Sequence, residues 1–306
     1  MLNPAFSREF VQSADERYQL PEAAIAHVRG RNQAIDTGEE LRIQRVFGDE
    51  LWHKLKAIGL NRFAWQNKSV LDICCGTGFL SYHLLQRISP AKLVLLDISP
   101  EEVREASRLI TGLDSGVRIE YQIGDALASG IPDATFDVII GNSFLHHFHD
   151  VPKALEEFNR LLKPGGVFVS LHEPTGAALP LEAGSFRLFV KYLVMGSLYI
   201  ESMRYQGQGI EPQGGTDVWI FRESDVRKLA REAGFVDIRT HSWNLLRPIV
   251  VAKKALHLGV SKQQLTRKEM LQLRAAIATD AILSKCLPQV LFGSVSIAAQ
   301  KPEGHQ

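Results

Sequence analysis

Acidic residues at the ends of apolar runs, one of them beside a glycine turn, carry the most chemistry legible in this 306-residue chain. An apolar run from Val70 ends in Asp72, Gly76 and Gly78 follow, and an apolar-periodic segment then begins. That order predicts a strand, a tight turn and a helix, which together open a pocket above the carboxyl end of the strand. Glycine accepts positive φ in such a turn and lets a ligand approach the backbone. Asp72 at the strand tip adds a fixed negative charge, which repels a pyrophosphate and suits a cation or a hydroxyl donor. Gly76-x-Gly78-x-x-Ser81 followed by Asp97 also comes near dinucleotide spacing. Against a nicotinamide cofactor stand the serine at the third glycine position and the carboxylate beneath the turn, where a pyrophosphate would rest on a helix N-terminus.

Histidines form the second group. His146, His147 and His149 follow a fourth apolar run, and a histidine there is a natural general base for a hydroxyl or amine near neutral pH. His172-Glu173-Pro174 closes a fifth run at the same mouth, where Glu173 is expected to orient an amine, take a proton or stand on the rim. Asp97 has a plainer reading as a cap for the next helix, and Asp125 as an ordinary turn residue. Cys74 and Cys75 have no second cysteine pair at zinc spacing, so they read as small buried turn residues and no metal site is expected.

The elements that must position these groups alternate. Strands are expected at 70–73, 92–96, 117–123, 136–140 and 167–171, with helices between them at 79–88, from Ser99-Pro100 to Gly112, and from Asp150 to Lys163-Pro-Gly-Gly166. Ser99, Pro100 and Glu102 make a helix-start pattern. Such β-α regularity predicts a doubly wound parallel sheet. A helix at 224–233 and strands at 236–242 and 290–299 complete it. Residues 1–67 read as a helical cap, with Thr37 and Glu40 as a capping box ahead of Leu41, Ile43, Val46, Leu51, Trp52, Leu55 and Ile58. The core spans 68–173, an inserted cap 174–221, and the remaining core 222–300 with a basic, partly helical insertion at about 253–286. The apolar segment 186–200, with Arg187 and Lys191 in it, reads as a cap helix on the sheet or as a wall of the acceptor pocket. It is too short to cross a bilayer, though it and residues 245–251 with Lys253 and Lys254 suit peripheral contact with a membrane surface. Arg204, Tyr205, Trp219, His241 and Trp243 are further pocket candidates.

The Asp72 turn, Asp72-Ile-Cys74-Cys75-Gly76-Thr77-Gly78, resembles motif I of the class I S-adenosylmethionine-dependent methyltransferases, with Cys74 where the first glycine usually stands. The resemblance runs over about residues 68–173 and more loosely to 300. It implies a Rossmann-like sheet of seven strands whose last runs antiparallel, with the helical N-terminal and inserted segments as a lid. It further implies S-adenosyl-L-methionine as co-substrate, bound by Asp72, Cys74, Gly76, Gly78, Asp97, Ile98, Asp125, Ala126, Asn142 and Ser143. Asp97 matches the residue that binds both ribose hydroxyls, which suits a carboxylate's acceptor capacity, and Asp125 matches the one that binds the adenine amino group. The stretch from Asp137 to Ser143 matches motif IV, and Leu161-Leu-Lys-Pro-Gly-Gly166 matches the turn before the fifth strand. In that family a His-His pair at this place often packs against the methionine end of the cofactor, so His147 and His146 stand between packing and catalysis, with Glu173 beside them.

Composition bounds the rest. With 45% hydrophobic and 23% charged residues the chain has an ordinary globular mix. A formal net charge of +1 gives no general attraction to nucleic acid or anionic lipid. Three cysteines are too few for a disulfide framework. Met1-Leu-Asn-Pro-Ala-Phe6 lacks the charged-then-apolar pattern of a signal peptide, and no long uninterrupted apolar run predicts a transmembrane helix, so a cytoplasmic location is expected. The expected activity is methyl transfer to an oxygen or nitrogen of a small, fairly apolar molecule. Three alternatives stay open: a nucleic-acid methyltransferase, although Asn142-Ser-Phe-Leu145 replaces the Asn-Pro-Pro-aromatic motif of many base-amino enzymes, a non-catalytic cofactor-binding protein on the same fold, and a nicotinamide-dependent reductase. Oligomeric state is not legible.

Overall fold

The central strands are apolar on both faces, which only a sheet covered on both sides tolerates. In β1 (Ser69–Ile73) Val70 faces one apolar cluster while Leu71 and Ile73 face the other; in β2 (Lys92–Asp97) Leu93 and Leu95 join the first, Val94 and Leu96 the second. The first cluster is closed by α1 (Gly48–Ala57) through Leu51 and Leu55, by α2 (Phe79–Leu85) through Leu80 and Leu84, and by α3 (Pro100–Thr111) through Ala106 and Ile110. The second is closed by α4 (Val151–Leu161) through Leu155 and Phe158 and by α5 (Glu223–Glu232) through Val226 and Ala230. Phe158 stacks on Phe168 with ring centroids 5.5 Å apart. The computed structural model behind this description covers residues 48–113, 115–148, 150–175, 221–246 and 267–304.

With β3 (Arg118–Ile123), β4 (Phe136–Asn142), β5 (Leu162–Pro174), β6 (Val236–Trp243) and β7 (Ser294–Gln300) the sheet has seven strands, ordered β3-β2-β1-β4-β5-β7-β6. The first five run parallel, and β7 lies antiparallel between β5 and β6. Strand order reverses between β1 and β4, so a crevice opens at their carboxyl ends. This is the doubly wound sheet that the sequence predicts, in the Rossmann-like form with an antiparallel last strand that the family resemblance implies.

Local chemistry sets the element ends. Ser99 Oγ accepts the Glu102 N–H at 3.2 Å, Pro100 fills the first helical position, and Gly112 closes α3. Asp150 caps α4 by accepting the Lys153 N–H at 3.0 Å. Some expected bounds shift. The helix expected at 79–88 stops at Leu85, because the Arg87 and Ile88 N–H groups both turn back to the Leu84 carbonyl at 2.9 Å. The last strand starts at Ser294 rather than at Val290, which lies in a 3₁₀ turn, Gln289–Leu291, behind Pro288. β5 begins at Leu162, so the Lys163-Pro-Gly-Gly166 turn runs into the strand itself.

Thr175 and Phe221 form an isolated parallel bridge, and the Phe221 N–H donates to the Pro174 carbonyl at 2.9 Å. The intervening segment therefore departs from and returns to one point at the carboxyl end of β5. Helix α6 (Arg267–Leu283) falls within the basic insertion expected at about 253–286. The capping box at Thr37 and Glu40, the apolar segment 186–200, Arg204, Tyr205, Trp219, Lys253, Lys254 and His149 lie outside the described residues. No described helix is long and apolar enough to cross a membrane.

Candidate active site

The turn after β1 is built from left-handed residues. Cys74, Gly76 and Gly78 have φ of 52°, 51° and 75°. For an L-residue such as Cys74 that conformation costs about 1–2 kcal/mol, which explains why glycine is the usual choice there. A Cβ on Gly78 would come within 2.7 Å of the Ala106 Cβ and 2.9 Å of its Cα. Glycine is needed where α3 packs on the turn.

Asp72 lies beneath the turn, 1% exposed, and accepts the Ser81 hydroxyl hydrogen at 2.5 Å. Ser81, the residue that departs from a dinucleotide fingerprint, is thus a partner for the strand-tip carboxylate. The other oxygen, Asp72 Oδ1, has no partner among the described residues. Burial pushes this carboxyl up to about 7; the Ser81 bonds oppose the rise and Asp97 adds to it.

Asp97 ends β2. Its Oδ2 accepts the Gly76 N–H and its Oδ1 the Ser99 N–H, both at 2.9 Å, so the carboxylate is oriented from two sides across the crevice. Its carbonyl accepts the Gly124 N–H at 2.9 Å, which ties the exit of β3 to the tip of β2. Ile98 beside it is half-buried. Asp125 follows Gly124, half-buried, and closes a local turn by accepting the Leu127 N–H at 2.8 Å over the buried Ala126. The electrostatic result is read at Cys74. Burial pushes its thiol well above the usual range, and Asp97, Asp125, Asp72 and Glu173 all push it further. Cys75 is raised in the same way, by burial first and then by Asp97. Both thiols therefore stay protonated and unreactive near neutral pH, and the crevice around them is negative.

The fourth strand exits through a second strained turn. A Cβ on Gly141 would meet the Ile73 carbonyl oxygen at 2.7 Å and the Phe144 ring at 2.6 Å. Asn142 and Ser143 are half-buried at the tip, Ser143 with φ 57° and its N–H donating to the Leu171 carbonyl at 2.6 Å. A 3₁₀ turn, Leu145–His147, follows.

Glu173 holds that turn in place. It is fully buried; Oε1 accepts the N–H groups of Phe144 (3.2 Å) and Leu145 (3.0 Å) and the Ser170 hydroxyl (2.5 Å). Oε2 accepts the His146 N–H at 3.1 Å and lies 2.6 Å from His146 Nδ1. Burial alone would raise this carboxyl, but His146 first, then Ser170 and the Leu145 N–H, bring it below the ordinary range. The expectation of a rim or proton-taking carboxylate at 173 is corrected here. Both oxygens are engaged by the chain, and the residue is an anchor for the loop. His146 is buried with it, while His147 remains half-buried, its ring centroid 4.0 Å from that of His146.

Asp137, within the motif IV stretch, sits away from the mouth at the start of β4. It accepts the Ser69 N–H at 2.9 Å and pairs with Lys163 at 2.8 Å. Sequence reasoning missed another group near the mouth: Glu50 and Lys54 of α1 form a buried ion pair at 2.7 Å, and Lys54 Nζ lies 2.7 Å from His172 Nδ1. Their i, i+4 spacing signals a pair on one helix face, but nothing in the spacing says that the face is buried.

Carboxylates at three successive strand tips fit a ligand that is cationic at one end and offers hydroxyl and amino donors at the other. The unpartnered Asp72 oxygen and the negative crevice fit S-adenosylmethionine and disfavour a dinucleotide pyrophosphate. Residues 70–166 match the family model described as a methyltransferase domain. The fold and the methyltransferase-domain match together support a class I S-adenosylmethionine-dependent methyltransferase. The chain is 28% identical over 224 residues to the demethylmenaquinone methyltransferase of Staphylococcus aureus, an alignment covering 71% of this chain and 85% of the relative. In fold it is similar to phosphoethanolamine N-methyltransferase 2 of Haemonchus contortus, solved with S-adenosyl-L-methionine (TM-score 0.51, 17% identity, 83% of this chain). The match covers 53% of that enzyme, so the chain spans about half its length. A Haloferax volcanii methyltransferase, solved in complex with the Trm112 methyltransferase activator, has a TM-score of 0.50 at 18% identity, with 85% of this chain and 94% of that one covered.

Proposed function

We propose that this methyltransferase acts on an oxygen or nitrogen of a small, lipophilic molecule that enters at the carboxyl ends of β4 and β5. The observation that carries the acceptor class is the relationship to the demethylmenaquinone methyltransferase over 71% of the chain. The insertion that leaves at Thr175 and returns at Phe221 supports it, since it emerges at that same end and its sequence is rich in apolar residues. S-adenosylmethionine supplies an activated methyl on sulfur. The protein's task is then alignment, which can supply roughly 7–11 kcal/mol of the barrier. In this reading Asp97 takes the ribose hydroxyls, Asp125 and Ala126 the adenine, and Asp72 with Cys74, Gly76 and Gly78 the charged end. Ile98, Asn142 and Ser143 complete the cradle. His147, on the turn that Glu173 and His146 fix, is the candidate to receive a proton from the acceptor. Incubating the protein with methyl-labelled S-adenosylmethionine and a panel of detergent-dispersed phenols, quinols, amines and RNA tests this. Label is expected in a lipophilic phenol, quinol or amine; transfer to RNA alone would overturn the reading.

Asp72 gives the cofactor reading a pH signature. Its carboxyl is raised from 3.8 to about 7, so in the free protein it opposes folding progressively as pH rises from about 4 to about 7. A cation bound beside it favours the ionised form. Binding of S-adenosylmethionine is therefore expected to release a proton below pH 7 and to tighten as pH rises from 6 to 8, by at most about tenfold per unit. The neutral sulfide S-adenosylhomocysteine should show a weaker trend, and Asp72→Asn should flatten both. Calorimetric titration at pH 6, 7 and 8 measures this, and equal affinities at all three would remove Asp72 from the site.

A further inference from the structure

Helix α6 is apolar on two opposite sides, and only one of them is covered. Leu273, Ala276 and Ile277 are buried against the body of the protein. On the other side Leu271 and Ile282 are 70% and 64% exposed, with the exposed Ala275 and Ala278 between them. At 3.6 residues per turn these four positions, spaced i, i+4, i+7 and i+11, fall within about 60° of arc and run about 16 Å along the axis. A single exposed apolar side chain means little, but an aligned ridge marks a contact surface.

The borders of this ridge are basic. Lys268 and Arg274 stand within about 40° of its edges, one on either side, and Lys285 lies in the turn after the helix. All three are exposed, and none has an ion-pair partner among the described residues. Among the described side chains of α6 the acidic one, Asp280, is buried and accepts the Leu246 N–H at 2.9 Å. An apolar stripe edged by cations that can snorkel suits a helix lying in the plane of an anionic lipid surface. The net charge of +1 on the whole chain supplies no such attraction, so it has to come from this face. A second copy of the chain fits poorly. Two-fold pairing of α6 with itself brings the same cations together, and a strip one helix wide falls short of the roughly 1,000 Å² that a specific protein interface needs.

We propose that the outer face of α6 docks on an anionic membrane surface, with Leu271 and Ile282 entering the acyl boundary and Lys268, Arg274 and Lys285 meeting lipid phosphates. The place of α6 in the fold gives such docking a use. Leu246, to which Asp280 is tied, follows the carboxyl end of β6, and Gln289 beyond the helix accepts the Ser242 N–H at 2.8 Å. β5 and β6 both run antiparallel to β7, so this is the end of the sheet at which the cofactor crevice opens. Docking through α6 therefore brings that end of the sheet toward the lipid. The surface goes beyond the acceptor reading and stands without it, because it rests on the exposure and charge of one helix.

Co-sedimentation of the full chain with vesicles of equal parts phosphatidylglycerol and phosphatidylcholine, and with phosphatidylcholine alone, tests this without turnover. The wild type is expected to bind the anionic vesicles about tenfold better or more, and to lose that advantage at high salt. Lys268→Gln, Arg274→Gln and Lys285→Gln together should weaken binding on the order of 10²-fold, at about fivefold per cation. Leu271→Ser with Ile282→Ser should weaken it about tenfold. Val236→Ser, at an exposed apolar residue on the amino end of β6, should leave it unchanged. Melting temperature identifies any variant that fails to fold. A bimane label on Leu271→Cys, in a Cys286→Ser background, then still decides, because its emission should shift to the blue on anionic vesicles. Absence of vesicle binding by the wild type, binding that survives both sets of substitutions, or an unshifted label overturns the proposal. A dimer in light scattering that Leu271→Ser with Ile282→Ser dissolves, without vesicle binding, assigns the face to a second copy instead. None of these results bears on the acceptor, which the labelled-methyl panel tests separately.

Discussion

Replacing Glu173 with glutamine is expected to lower stability by about 3–5 kcal/mol, the usual cost of removing one member of a buried charged pair. The carboxylate accepts from Phe144, Leu145, His146 and Ser170 and is fully buried. An amide can accept at one oxygen only and presents N–H groups where the backbone already does. At least one buried donor is left unsatisfied and the charge partner of His146 is gone. Against a typical total of 5–15 kcal/mol, such a loss should lower the melting temperature of a 306-residue chain by roughly 5–8 °C. The sign of the pH effect follows from the low-lying carboxyl. Its folded value is below 4.5, so its stabilisation is complete above that pH and is lost as pH falls through the folded value. Glu173→Gln should remove that acid limb. Thermal melts of both proteins from pH 3 to 7 measure both effects, and a variant that melts within 2 °C of the wild type would show that the loop is held otherwise.

Glu173 also shows where sequence reading stops. Residue type and position placed it at the mouth beside the histidines, and that placement holds. Its role depends on a register shift between Ser170 and Glu173, which reverses the inward and outward faces of neighbouring residues and is not encoded in any periodicity. The central strands were legible because both faces are apolar, β3 because apolar and polar residues alternate along it, and α3 and α4 because Ser99 and Asp150 are good caps. The turn after β1 was legible from its glycines, yet Cys74 takes the same left-handed φ without being one. Glu50, Lys54 and His172 were invisible as a group because 118 residues separate Lys54 from His172. Only the packing of α1 against the sheet brings them together.

Asp97→Ala is expected to weaken S-adenosylhomocysteine binding by about 10²–10⁴. Hydrogen bonds to a charged group contribute about 1.5–3 kcal/mol each, and two to the ribose would sum to roughly 3–6 kcal/mol, or two to four decades. The plainer reading of Asp97 as a helix cap does not survive the geometry, since Ser99 Oγ caps α3 and Asp97 accepts from Ser99 and Gly76 instead. Those bonds aim the carboxylate across the turn, so the alanine variant also loosens the Gly76 amide. Asp97→Asn is the milder change: it keeps one oxygen to accept from Ser99, but turns an N–H toward Gly76 and loses the charge. Its affinity should fall between those of the wild type and the alanine variant. Calorimetry with S-adenosylhomocysteine reads both variants. An alanine variant that binds within threefold of the wild type would mean that the nucleoside lies elsewhere, because no other carboxylate at the three strand tips is held by backbone amides from both sides of the crevice.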